Sequence, residues 1–146
     1  MPLQNAIFTS ITAQLQAILS VVTEIKRVYP YPVDNPDKNP YAIFFPSGFE
    51  NSFETTQENM RICRYKLFIG AKVTQTTLAN VFATTLPNAV DAAMEALNTG
   101  WSMTAIDGHR AWLKTDSCDW MVSQDKDGLN AVAEFNLDIK LLTNNS

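Results

Sequence analysis

YAIFFPSGFENSFETTQENMRICRYKLFIGAKV, Tyr41 to Val73, decides how this chain folds. Its ends are strongly apolar and strand-like. Its middle, FENSFETTQENMR from Phe49 to Arg61, is mostly polar, with Phe49 and Phe53 isolated among acids, amides and threonines. A tight hairpin needs about two to five connecting residues, far fewer than this. Either the middle is an irregular tip, or the strands run outward past the body and the projection touches something. The second reading is adopted here as the expectation.

The inner flanks are clearer. Tyr41 to Phe45 reads as a buried strand, which Pro46, Ser47 and Gly48 should break or kink. From Arg61 to Val73 the chain alternates. Cys63, Tyr65, Leu67, Ile69, Ala71 and Val73 can face a core, while Ile62, Arg64, Lys66, Phe68, Gly70 and Lys72 form a mixed, more polar face.

Upstream, Ile7, Phe8, Ile11, Leu15, Ile18, Leu19, Val22 and Ile25 recur at steps of three and four, which predicts an amphipathic helix over 5–28. The segment YPYPVDNPDKNP, Tyr29 to Pro40, has too many prolines for a helix or an interior strand and reads as an extended connector. Downstream, Leu86, Val90, Met94 and Leu97 mark a second helix starting near Leu78 or at Pro87. Thr84 or Thr85 is the candidate cap and Gly100 the stop.

The last third returns to strands. Arg110–Lys114 and Cys118–Ser123 read as short strands around a turn at 115–117. DKDG, Asp125 to Gly128, reads as a hairpin turn. Ala131, Ala133, Phe135, Leu137, Ile139 and Leu141 form one face of a final strand, opposite Glu134, Asn136, Asp138 and Lys140. Helices and strands are segregated along the chain. The expected fold is therefore α+β: a mostly antiparallel sheet with two helices packed on one face and a long strand–loop–strand projection. The length, 146 residues, suits a single domain over 1–146.

Composition excludes several function classes. The net charge is -4 and no basic cluster occurs, which argues against a grip on nucleic-acid phosphates. No apolar run reaches the length of a membrane span. MPLQNAIFTS lacks the basic and apolar regions of a secretory leader, so Cys63 and Cys118 read as free thiols of a protein made in a reducing cytoplasm.

Catalytic parts are scarce. His109 is the one histidine, in IDGHRAW at the entry to a strand, and Cys63 falls on a core face. Ser123, Asp125, Asp127, Gly128 and Glu134 fall at calcium-loop spacing. That loop needs flanking helices, whereas the flanks here read as strands and DKDG explains the same residues as an acidic turn. Phosphate-cradling glycine loops, HExxH, CxxC and GxSxG are absent. Asp91 and Glu95 read as a solvated acidic edge. Trp101, Trp112 and Trp120 are not interleaved with Lys or Arg as a single-strand binder requires.

The run NPYAIFFPSGFENSFETTQENMRICRYKLFIGAKV, followed by LPNAVDAAMEAL, resembles the bacteriophage tail-terminator, or tail-completion, proteins in element order and texture over most of residues 3–142. The resemblance implies a non-enzymatic virion protein without a cofactor or metal, made in the bacterial host cytoplasm. Such a protein forms a ring, usually hexameric, on the last ring of the tail tube. It stops tube growth and presents a face to the head-tail connector or neck protein, while DNA passes through without tight binding. On this reading the protein-interface residues are Phe49, Glu50, Asn51, Phe53, Glu54, Thr55, Gln57, Glu58, Asn59 and Arg61, with Phe49 and Phe53 as anchors. The alternative is a small acidic α+β ligand-binding or enzymatic domain, which would show a concave site lined by convergent polar groups.

Overall fold

The computed structural model describes residues 6–33, 36, 38–53, 58–74, 76–106, 109–125 and 128–144; within these, the side chains of 6, 51–53, 58–59, 104–106, 109, 116, 123, 125 and 143–144 are left aside. The order is α1 (Ala6–Ser20), β1 (Arg27–Tyr29), β2 (Tyr41–Phe53), β3 (Glu58–Val73), α2 (Leu78–Asn80), a π-helical turn (Val81–Thr85), α3 (Leu86–Thr99), β4 (Ser102–Ile106), β5 (His109–Asp125) and β6 (Gly128–Asn144). The strands form one sheet in the order β1-β2-β3-β6-β5-β4. Every pairing is antiparallel except β1 with β2. The α+β expectation, a mostly antiparallel sheet with helices on one face, holds.

The alternation in β3 and β6 places the core. Cys63, Tyr65, Leu67 and Ile69 are buried, as are Ala131, Ala133, Phe135, Leu137, Ile139 and Leu141. Paired strands share faces, so Leu67 beside Phe135 and Tyr65 beside Leu137 make one continuous apolar surface. Ile7, Ile11, Leu15 and Leu19 of α1 cover it, together with Leu86, Ala89, Val90, Ala93 and Leu97 of α3. Each fully buried side chain of this size contributes about 1.5–3 kcal/mol. The Tyr65 hydroxyl ties sheet to helix, donating to the Phe8 carbonyl at 3.1 Å with Thr12 Oγ1 at 2.9 Å.

Four local details correct or narrow the expectations. The first helix ends at Ser20, not near 28. The β-branched run Val21-Val22-Thr23 lowers the helix propensity there, and the chain leaves the helix in turns. Val22 and Ile25 are still buried, because tight turns (Val22 N–H to Leu19 O, Ile25 N–H to Val22 O) fold them under before β1. The proline connector then serves as the crossover that a parallel β1–β2 pair requires.

Of the two starts the sequence offers, Leu78 is where helix begins, with Pro87 in the first turn of α3, and the expected threonine cap is not made at Thr85. Helix runs from Leu78, and Thr85 is itself helical (φ -65°, ψ -51°) with no capping bond. A widened turn precedes Pro87, with Leu86 N–H bonded to Val81 O. It relieves the collision that the proline ring would make with the carbonyl one turn back.

Pro46 does not end β2. Pairing shifts by one residue between Pro46 and Gly48 and continues to Phe53 opposite Asn59. Likewise 115–117 is not a turn. β5 is one strand whose register shifts between Thr115 and Ser117. Both are β-bulges, which absorb one extra residue without breaking the ladder.

Candidate functional site

The projection expected from the polar stretch is present as paired strand. β2 reaches Phe53 and β3 begins at Glu58, three residues before the sequence places it. The end of β6 runs alongside, with Glu58 opposite Asn144 and Arg61 opposite Leu141. Pro46 sits where, among the described residues, β2 has no outer neighbour strand, since β1 pairs only with Tyr41–Ile43, so a missing N–H is tolerated at this edge.

The candidate interface residues divide between the two faces. Phe49 lies opposite Cys63, on the helix side. Its ring is 56% exposed. One side meets Phe8 of α1 edge to face, centroids 6.4 Å apart, and the Arg61 guanidinium lies 5.5 Å from its centre. Phe49 is thus tethered to the body while keeping half its surface open. Glu50 points to the other face, where Arg64 Nη2 approaches it at 2.9 Å and Arg64 Nε lies 3.8 Å from Asp138. Lys66 donates to Glu134 at 3.1 Å further in. The Arg64 and Lys66 ends and Glu50 are about half exposed while Asp138 and Glu134 are more covered, so each pair is worth roughly 0–1 kcal/mol; together they link β2, β3 and β6 across the open face. Asn51 and Phe53 occupy register positions opposite Arg61 and Asn59. Glu54, Thr55 and Gln57 lie outside the described residues, as do the side chains of Asn51, Phe53, Glu58 and Asn59.

A second surface was not foreseen. Beyond Trp112, no described strand pairs with the outer edge of β5. On that edge Trp120, Met121 and Val122 are 45%, 38% and 48% exposed. They are consecutive, so they protrude from both faces. The signal in the sequence was WMV, which breaks the apolar–polar alternation of a solvent-facing strand.

The chemistry-bearing residues do not converge. Burial pushes the Cys63 thiol up to about 11, with Arg61 acting weakly against it, and also raises Cys118. Both thiols are free. The side chains of His109, Ser123 and Asp125, and Asp127 altogether, lie outside the described residues. The flanks of the calcium-like spacing are nonetheless β5 and β6, with Asp125 opposite Gly128, which is a hairpin and not a helix–loop–helix. Among the described residues no group of three or more His, Cys, Asp or Glu is placed to hold a metal, and no helix is long and apolar enough to cross a membrane. An apolar-lined depression of about 230 Å³ lies under the proline connector against Ile43, Phe45, Phe68 and Val132.

No protein-family model matches the chain. No curated protein matches it in sequence. Among solved structures it is similar to a chain from the virion of a native gene transfer agent (GTA) particle, with a TM-score of 0.51 and 12% identity over 95% of this chain and 92% of that one. At that identity the likeness is one of fold, along nearly the whole length of both chains.

Proposed function

We propose that this chain is a non-enzymatic structural protein of a phage-like virion. In it, six copies form a ring on the end of a tail tube, stop its growth and join it to the head or neck. The observation that carries this reading is the paired-strand projection, with Phe49 held against Phe8 and Arg61 yet half open to solvent. A paired-strand extension that carries a half-exposed, tethered aromatic is suited to docking, because little conformational entropy remains to be lost on contact. The whole-length likeness in fold to a virion chain supports the broader part of the proposal. The tail-terminator resemblance of the sequence supports the finer part. Tube protein and neck protein are the partners on this reading, and DNA passes through the ring.

Electron microscopy of the purified protein, alone and mixed with polymerising tube protein, tests the proposal. Rings, or tubes that stop growing and bear an extra terminal layer, are the expected result. A chain that stays monomeric and leaves tube length unchanged would overturn it.

A further inference from the structure

We infer that the outer edge of β5, from Cys118 to Gln124, is the surface on which a second copy of this chain adds a strand, and that the added strand is the outer part of β2, Phe49 to Phe53. The inference rests on the ring reading above and specifies its contact.

An uncovered edge strand is a template for pairing, and stable proteins guard such edges with proline, lysine, a bulge or a covering element. The two free edges of this sheet differ in that respect. On β2 the free stretch carries Pro46 and a bulge, which protect its inner part and leave Phe49–Phe53 regular. On β5 the bulge falls at 115–117. The rest, CDWMVSQ, has neither proline nor lysine and places apolar side chains on both faces. Trp120 and Val122 stand opposite Ala133 and Ala131, whose small side chains leave them protruding, and Met121 stands opposite Val132 on the other face. An incoming strand would flank both sets at once, as strand addition requires.

A second copy of the chain fits this edge for a topological reason. From β2 through β3 and β6 to β5 the strands alternate in direction. Four alternating strands is an even number, so a β2 from an identically oriented copy meets β5 antiparallel, and the pattern continues without a mismatch. The contact joins two different edges of the sheet. It is therefore heterologous, the type that generates rings. The free stretches also lie toward opposite ends of the strands, Phe49 level with Cys63 and Leu113, Met121 level with Val132 and Gly70. Joining them displaces each copy along the strand direction, which is the stagger that closing a sheet on itself demands.

Two measurements on the full chain test this. In the first, Trp120→Lys with Val122→Lys is compared with the parent by light scattering and circular-dichroism melting. The inference expects the parent to be assembled and the variant to be monomeric yet folded, with a cooperative melt lowered only by the loss of assembly. Equal assembly of both overturns the edge contact while leaving a ring formed by other surfaces. A parent that assembles neither alone nor on tube ends overturns both readings.

The second measurement decides the matter if the lysine variant fails to fold. In a Cys118→Ser background, Glu50→Cys and Met121→Cys are made singly and together, then treated with a short bismaleimide. The double variant should give a ladder of linked copies, about tenfold or more above either single variant, because pairing raises the local thiol concentration. Dimers from Met121→Cys alone would mean that β5 pairs with itself, and no ladder would mean no pairing; either result overturns the inference.

Discussion

Phe8 and Phe49, on the first helix and on the outward part of β2, meet edge to face with planes at 65°. This contact joins the projection to the helical layer. An aromatic pair of this kind is worth about 0.5–1.5 kcal/mol beyond area burial. Phe49→Ser should therefore lower stability by about 1–2 kcal/mol and leave the fold intact, while the double change with Phe53→Ser should impair capping of tubes. Denaturant melts and tube-length counts check the two halves. Global unfolding by Phe49→Ser alone would place the ring in the core and remove the docking role.

Gly70 faces a second aromatic. A Cβ built there would lie 2.6 Å from the Tyr41 hydroxyl and 2.7 Å from its ring carbon. The Tyr41 hydroxyl donates to the buried Asn130 Oδ1 at 3.3 Å, so the ring cannot swing away without breaking that bond. Gly70→Ala should cost about 1–3 kcal/mol by overpacking. Thermal melts beside Tyr41→Phe, which removes only the hydroxyl, separate the steric part from the hydrogen bond.

Leu67→Ala and Leu137→Ala should each cost about 2–5 kcal/mol, since both side chains are fully buried between sheet and helices. Lys66→Ala should cost under about 1 kcal/mol, because its pairing with Glu134 is on the solvated face. The reverse order in urea titrations would mean the strand faces are misassigned.

Alkaline pH should weaken the fold. Burial raises the Cys63 thiol from 9.0 to about 11 and the Tyr65 hydroxyl from 10.0 to about 12. The native state holds these protons more tightly than the unfolded chain does. The stabilisation is complete below pH 9, declines as the unfolded chain ionises, and is lost through pH 11 to 12. Chemical denaturation at stepped pH should show the decline, and Cys63→Ala should remove its lower part. At pH 8 Cys118 should react with a disulfide reagent well before Cys63, which needs unfolding to be reached.

Six copies at -4 each carry -24, so an assembled ring should show no affinity for double-stranded DNA at micromolar protein and physiological salt, about 10⁻⁴ M or weaker. Anisotropy titration reads this directly; sub-micromolar, salt-sensitive binding would reopen a nucleic-acid role.

What the residue pattern made legible was whatever depended on strict period. The alternation in Arg61–Val73 and Ala131–Leu141 identified the core face residue by residue, though both strands extend beyond those bounds. Punctuation was less informative. Pro46–Gly48 reads as a break or a kink and is a bulge, while 115–117 reads as a turn and is also a bulge, because pairing to the neighbouring strand holds the chain extended once the sheet exists. Arg27 and Val28 of β1 were hidden inside a helical period and Tyr29 inside the proline connector, since Val22 and Ile25 are apolar for tertiary reasons and not helical ones. In the projection, the pattern pointed to Phe49 and Arg61 but not to their stacking on each other or to Phe8 as the partner on the helix, which only three-dimensional proximity supplies. The β5 edge was missed because strand order, and hence which strand is left uncovered, is not encoded locally.

The ladder joining β3 to β6 runs unbroken from Glu58 opposite Asn144 to Val73 opposite Leu129. Its outer rungs belong to the projection and its inner rungs to the body. A pull on the projection along the strands would load many rungs in parallel, whereas a pull across them would open the rungs one by one from the end. The molecule is therefore stiff in one direction and compliant in the other. A joint built from it would bear tension along the strands far better than prying from the side.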